Sequence, residues 1–268
     1  TGSMEAWQIM NRPGKQASRL LIGPWAHDVN TSRDIHNVAA GSNSLYYNID
    51  LLHLRWFDRF LRGIKNGVEN TRVEYYSLGS NTWHRAGTWP PEASGCRKFY
   101  LSEGGLLSDT GSSVEAFEKY VYDPLNPAPQ IMDISENEMN VPGNYRDLEK
   151  RNDFVTFTTP PLKEKISVAG HVKVVFYASS DARDTDWVVR LLDVDPEGNS
   201  IKLSQGILRA RYRKSYEKPE LLEPGRIERY EICMDDIASV FEKGHRIRLS
   251  FTSAAFEYAL VNHNTGND

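Results

Sequence analysis

Cysteine is scarce. Cys96 and Cys233 are the only two in 268 residues, so one disulfide at most can form and a disulfide-built scaffold is excluded. Neither belongs to a Cys-x-x-Cys pair, and none of the seven histidines belongs to a His-x-x-x-His pair, so no local pattern supports a metal site. No apolar run approaches the roughly 18 residues of a membrane-spanning helix. An excess of one charge is missing too: 32 Lys and Arg face 36 Asp and Glu, with no basic stripe, which argues against a nucleic-acid partner. There is no glycine-rich phosphate loop, and no Gly-x-Ser-x-Gly turn to expose a nucleophilic serine. With 40% hydrophobic residues the chain nevertheless has enough apolar mass for one large domain or two modest ones.

The first 65 residues read as α/β. Residues 3–10 have helical character, ended by Asn11-Arg12-Pro13-Gly14. Arg19-Leu20-Leu21-Ile22-Gly23-Pro24-Trp25 reads as a short buried strand stopped by Gly-Pro. From Asn48 an amphipathic helix is expected, with Ile49, Leu52, Trp56 and Phe60 on one face and Gly63 and Gly67 closing it. One strand makes no sheet, so its neighbours are expected outside this sequence.

Strand signals dominate from Val68 onward. They include residues 72–76, 99–101, 155–158, 172–177, 187–194, 207–212, 230–234 and 246–251; the last alternates Ile247, Leu249 and Phe251 against Arg246, Arg248 and Ser250. Asp195-Pro196-Glu197-Gly198 has Pro and Gly where a tight reversal needs them. Residues 124–153, rich in Pro, Asn, Asp and Glu, read as a long loop. Eight or more strands without a long helix between them predict a β-sandwich of jelly-roll type.

His27 is the candidate for chemistry. It follows the buried strand directly, and functional side chains of open α/β sheets collect on loops at the carboxyl ends of strands. A histidine there can act as a general base when a serine and an orienting carboxylate reach it. The neutral alternative is a loop histidine hydrogen-bonded to backbone. Trp25 is a weaker candidate, as a wall for substrate, with packing beneath the loop as its alternative. Trp83 and Trp89 are weighed as a sugar-stacking pair against core or domain-interface packing, with packing favoured. Asp181, Asp184 and Asp186 are weighed as calcium ligands against a solvated loop, with the loop favoured because a bidentate Glu and a loop Gly are absent. Asn30-Thr31-Ser32 matches a glycosylation sequon, a match common by chance.

Leu20-Leu21-Ile22-Gly23-Pro24-Trp25-Ala26-His27 resembles the segment that carries the catalytic histidine in X-Pro dipeptidyl-peptidases and cocaine-esterase-like hydrolases. Further along, Arg55-Trp56-Phe57-Asp58-Arg59-Phe60-Leu61-Arg62-Gly63, Trp83-His84-Arg85-Ala86-Gly87-Thr88-Trp89-Pro90-Pro91, the stretch from Asp186 to Gly198, Gly206-Ile207-Leu208-Arg209-Ala210-Arg211-Tyr212-Arg213 and the tail from Gly244 to Gly266 resemble family stretches in the same order. The resemblance implies a mainly β chain: a galactose-binding-like jelly roll preceded by the last strand and helices of an α/β-hydrolase domain. Residues 1–67 would end the hydrolase domain and residues 68–268 form the jelly roll. His27 would be the general base of a Ser-Asp-His triad whose Ser and Asp lie outside this chain. Upstream of His27 the only carboxylate is Glu5, and Asp28 adjoins His27 too closely to reach its Nδ1.

The opening residues lack the basic stretch and apolar core of a secretory signal, and Met4 follows three others, which fits either residues added ahead of a start or the later part of something longer; the resemblance implies the second. The expected partners are that catalytic segment and a small ester, amide or peptide substrate. No cofactor or metal is expected, no membrane span and no nucleic acid, and a homo-oligomer stays open. A rival of another class is a non-catalytic β-sandwich that binds carbohydrate or a protein partner. Peptidase, esterase and acylase are not separated by these residues.

Overall fold

The computed structural model describes residues 2–11, 18–27, 29–36, 38–92, 95–111, 115–133 and 141–267. A helix α1 (Gly2–Met10) leads to β1 (Leu20–Ile22), then to a two-residue ladder of β2 (Asp34–Ile35) with β3 (Val38–Ala39), and to helix α2 (Ile49–Leu61). Asn48 starts α2, its side chain accepting the Leu51 amide at 3.1 Å, which satisfies one of the free N–H groups of a helix start. A hairpin follows, β4 (Val73–Ser77) and β5 (Thr82–Ala86). The remaining strands are β6 (Tyr100–Ser102), β7 (Leu106–Ser108), β8 (Val155–Thr158), β9 (Ile166–Gly170), β10 (Lys173–Ala178), β11 (Asp186–Val194), β12 (Ser200–Arg209), β13 (Glu228–Cys233), β14 (Ile237–Phe241) and β15 (Arg246–Thr252). The chain is mainly β.

Two layers enclose the core. One is a six-stranded sheet in the order β12-β11-β15-β8-β7-β6; the other is built from the antiparallel pairs β10-β13 and β9-β14. Alternate residues of both layers point inward, and Phe176 of β10 lies at the junction. Its ring is 5.5 Å from Trp187 and 5.2 Å from Phe251, both edge-on, and 5.3 Å from Tyr230, stacked, arrangements that aromatic pairs favour. Gly206 lets β12 approach β13, because a Cβ there would land on the Ile232 side chain.

The acidic cluster before β11 departs from expectation. Asp184 and Asp186 are buried, neither solvated nor arranged around a cation. Asp184 accepts from Arg211 Nε at 2.7 Å, Asp186 from Arg209 Nε at 2.9 Å, and the Asn262 amide donates to both carboxylates. Two of the stretches that carry the family resemblance, around Asp186 and from Gly206 to Arg213, are thus joined by charge-assisted hydrogen bonds.

A second departure concerns β1. Its hydrogen-bonded neighbour lies within the chain: Leu20, Leu21 and Ile22 pair in parallel with Val73, Glu74 and Tyr75. This ladder crosses the boundary expected near residue 67. A small core of Trp7, Leu20, Val73 and Trp89 fills the space beside it. The hairpin in turn joins the sandwich, since Leu78 exchanges backbone hydrogen bonds with Ala238 and Val240 of β14. Helix α2 packs loosely. Ile49, Leu52, Trp56 and Phe60 are half-buried as the periodicity predicts, while Leu51, Leu54, Phe57 and Leu61 form a second apolar stripe facing solvent. Residues 124–133 and 141–153 contain no α-helix or strand, as expected of a loop; residues 134–140 lie outside the described residues.

The outer face of the six-stranded sheet buries two cations under that loop. Arg190 is fully enclosed, its guanidinium 5.0 Å from the Tyr145 ring centre and its Nη2 donating to Gln130 at 2.8 Å. Burial first, and then the Arg190 charge, pulls the Lys202 ammonium down from 10.5 to about 7. The unfolded chain therefore holds a proton on Lys202 that the folded chain gives up above pH 7. Stability from this group is full above 10.5 and is lost as pH falls toward 7. The free energy of unfolding should climb between pH 7 and 9 by up to about 1.4 kcal/mol per unit, and Lys202→Met should flatten that climb. Urea denaturation of both proteins at pH 7, 8 and 9 measures it, and parallel curves would contradict the assignment.

Candidate active site

Strand β1 ends at Ile22, and Gly23-Pro24 turns the chain out of the sheet. Gly23 is needed there because the Trp25 ring folds back over it, where a Cβ would collide with the indole. Ala26 is buried and His27 is exposed in a turn. Among the described residues the His27 ring has no hydrogen-bond partner, which leaves both ring nitrogens for groups outside them. Asp28 lies outside the described residues.

The loop that carries His27 has almost no secondary structure of its own, and it is held by the β4–β5 hairpin. Trp25 Nε1 donates to the Ser44 carbonyl at 2.9 Å, and Trp83 Nε1 donates to the neighbouring Asn43 carbonyl at 2.9 Å. The Trp83 ring lies 5.6 Å from Trp25, 5.1 Å from Tyr46 and 5.2 Å from Tyr76. Tyr76 donates its hydroxyl to the Ala40 carbonyl at 2.5 Å. Asn30 and Tyr46 bond reciprocally, side-chain amide to backbone, so the sequon asparagine is already committed to loop structure.

Beneath this ring cluster sits Glu74 of β4, buried on the sheet. It pairs with Arg19 at 2.5 Å, accepts the Tyr46 hydroxyl at 2.9 Å and accepts Arg85 Nε at 3.3 Å. Burial, and then the hydrogen bond to Glu74, pushes the Tyr46 phenol above its usual range, so Tyr46 remains a donor to that carboxylate. Burial raises the Tyr75 and Tyr76 phenols likewise.

The other histidines stand elsewhere. His171 Nδ1 meets Asp236 at 2.6 Å, a carboxylate that also accepts Trp89 Nε1 at 2.7 Å. His245 Nδ1 meets Asp193 at 2.9 Å. Each has the carboxylate partner of a triad, yet among the described residues no serine hydrogen-bonds to either ring. His84 bonds Thr82 and stacks on Tyr75, and His53 is exposed on α2. Trp89 is buried and Trp83 packs among other rings, the arrangement favoured from the sequence. A broad concave region lies between residues 95–122 and strands β9 and β10, with Phe99, Phe117, His171 and Tyr177 on its walls; His27 is not among its lining residues. No group of three or more His, Cys, Asp or Glu among the described residues could hold a metal ion. Tyr46, Glu74 and Trp83 were not singled out as supports of this loop; Tyr46 lies in the loop itself without a distinguishing pattern, and Glu74 and Trp83 sit in strands far along the chain from His27.

The X-Pro dipeptidyl-peptidase C-terminal non-catalytic domain matches residues 66–268, about three quarters of the chain. The chain belongs to that family. Family likeness also extends upstream of the matched domain. Cocaine esterase from Rhodococcus sp. (strain MB1 Bresler) is 33% identical over 264 residues, covering 93% of this chain and 46% of the esterase. Among solved structures, an aminopeptidase from a marine sediment archaeon, Thaumarchaeota archaeon, superposes with a TM-score of 0.87 at 27% identity, covering 98% of this chain and 47% of that one. An α-amino acid ester hydrolase gives 0.77 at 27% identity, covering 98% and 46%. The chain spans about half the length of the curated relatives it matches. These relatives are named as an esterase, an aminopeptidase and an ester hydrolase, and this chain corresponds to part of each.

Glu74 gives the support of this site a measurable weight. Removing it strands the Arg19 guanidinium, only 11% exposed at its side chain, without its carboxylate. Glu74→Ala should cost about 3 kcal/mol in urea denaturation, as for other buried pairs that lose one partner. An unchanged midpoint would refute the hub.

Proposed function

We propose that this chain contributes the general base of a serine hydrolase, His27, to an acyl-transfer reaction on an ester or amide. The observation that carries the proposal is an exposed histidine in a turn just past the carboxyl end of a strand, on a loop braced from outside, in a chain whose relatives are hydrolases. In this reading a serine and an aspartate reach the two free nitrogens of the His27 ring from a catalytic segment of the same protein. His27 takes the serine proton as the hydroxyl attacks the carbonyl, then returns it to the leaving alcohol or amine. The aspartate holds the tautomer that leaves Nε2 open to accept. No step requires a cofactor.

Residues 1–67 then complete the catalytic domain, and residues 68–268 form the sandwich packed against it. The solvent-facing stripe of Leu51, Leu54, Phe57 and Leu61 on α2 suits contact with the catalytic segment of the same protein, since exposed apolar patches of this kind are usually covered in a working assembly. Trp25, half-buried with its indole nitrogen committed to Ser44, borders the acyl site in this reading and contributes shape more than hydrogen bonds. The non-catalytic description of the matched domain favours a second reading for residues 66–268 alone, a binding or packing module. Carbohydrate binding by residues 66–268, measured by calorimetry against a sugar panel, would support that reading.

Two measurements test the enzyme reading. The polypeptide as given should not turn over p-nitrophenyl esters or X-Pro anilides above buffer. Turnover abolished by a serine-directed phosphonate would place the nucleophile inside this chain and remove the proposal. In the complete hydrolase, His27→Ala should lower kcat by roughly 10⁴-fold or more, with little change in melting temperature, because an exposed turn residue contributes little packing. His53→Ala, on the exposed side of α2, should stay within about tenfold. A His27→Ala enzyme that retains a tenth of its activity has lost only about 1.4 kcal/mol of transition-state stabilisation, too little for a general base.

A further inference from the structure

A general base works only when its nitrogen is held near the reacting hydroxyl, and misplacement by about 1 Å can cost on the order of 100-fold in rate. His27 has no partner among the described residues, so its place is set by what holds its neighbours. Two residues earlier, Trp25 is fixed at both ends: its nitrogen on the Ser44 carbonyl, its ring against Trp83. Trp83 holds the adjacent carbonyl, Asn43, with its own indole N–H. The two indoles therefore grip consecutive peptide units of the returning arm of the loop, while their rings pack on each other. Tyr46 and Tyr76 close the same cluster around Trp83.

Of the two indoles only Trp83 is on the hairpin, and it lies outside the apolar cores formed by the described residues. Its contacts go to the His27 loop and to Tyr76 beside it in register on β4, not to the sandwich interior. A tryptophan placed for stability would be expected in a core, where its large surface is best buried. We infer that Trp83, within the part of the chain that matches a non-catalytic domain, is a positioning residue for His27. The inference rests on the reading of His27 as the general base.

The experiment uses the complete hydrolase, nucleophile included, with Trp83→Ala, Trp83→Phe and His27→Ala singly and Trp83→Ala combined with His27→Ala. Trp83→Ala should lower kcat by about 10- to 100-fold with KM within about threefold, because the loop loses its brace while the acyl pocket remains. Trp83→Phe keeps a ring in the cluster and loses only the N–H to Asn43, so it should recover most of the rate and remain about fivefold below wild type. Positioning through His27 has a further signature: once His27 is gone, Trp83→Ala should cost less than about twofold more in residual ester hydrolysis or phosphonate labelling. A kcat within twofold of wild type in Trp83→Ala, or an equal loss with and without His27, overturns the inference. Should Trp83→Ala fail to fold, Trp83→Phe decides, and an unchanged kcat there overturns it as well. His27→Ala alone separates the two claims: full retention of activity in that variant removes the general base itself, whatever Trp83 does.

Discussion

A three-residue strand depends on its neighbour for everything. β1 is too short to hold itself, and its peptide groups find partners in the parallel ladder with β4. That ladder places the end of β1, and so the start of the His27 loop, relative to the whole β-domain. The same strand β4 supplies Glu74, which draws in Arg19 from just before β1 and Tyr46 from the end of the loop. It also continues through Leu78 to β14, so the loop, the hairpin and the sandwich form one connected frame.

Part of this frame is held by buried polar groups that pair with one another. Asp184 and Asp186 would be costly in an apolar interior, yet each meets a guanidinium, and the Asn262 amide donates to one oxygen of each carboxylate and so ties the two pairs together. Truncating either arginine leaves its aspartate buried without that counter-charge, which is how such a network favours one arrangement of strands. The interior between the layers is assembled differently, from large rings in edge-on and stacked arrangements around Phe176. One part of the fold is specified by charge, the other by shape.

Catalytic demands fit this division. Loops carry reacting groups because their backbone is free of sheet hydrogen bonding, but a free loop is a poor positioning device. Here the freedom is removed by packing against the hairpin: two indoles, Trp25 and Trp83, two tyrosines, Tyr46 and Tyr76, and the buried Glu74 carboxylate hold the loop's carbonyls and side chains, and among the described residues none of them bonds the His27 ring. Residues matched by a domain described as non-catalytic, Glu74, Tyr76 and Trp83, thereby hold the loop that carries the candidate His27.

Several elements were legible in the residues themselves. The strand at 155–158, the alternation over 246–251 and the α2 face of Ile49, Leu52, Trp56 and Phe60 follow from periodicity, because side-chain spacing along a strand or helix is a local property. β9 and β14 were missed, as both are short and their pairing, residue 166 with 241, joins segments far apart in the chain. The acidic residues at 184 and 186 looked solvated because a carboxylate's burial depends on a guanidinium more than twenty residues away. The sequence by itself determined the class of the fold, the family likeness and the position of His27 after a buried strand, all of which rest on neighbouring residues. Only the tertiary structure decided that β1 pairs with β4 and that Trp83, Tyr46 and Glu74 hold the His27 loop, because these contacts exist only once strands far apart in the chain lie side by side.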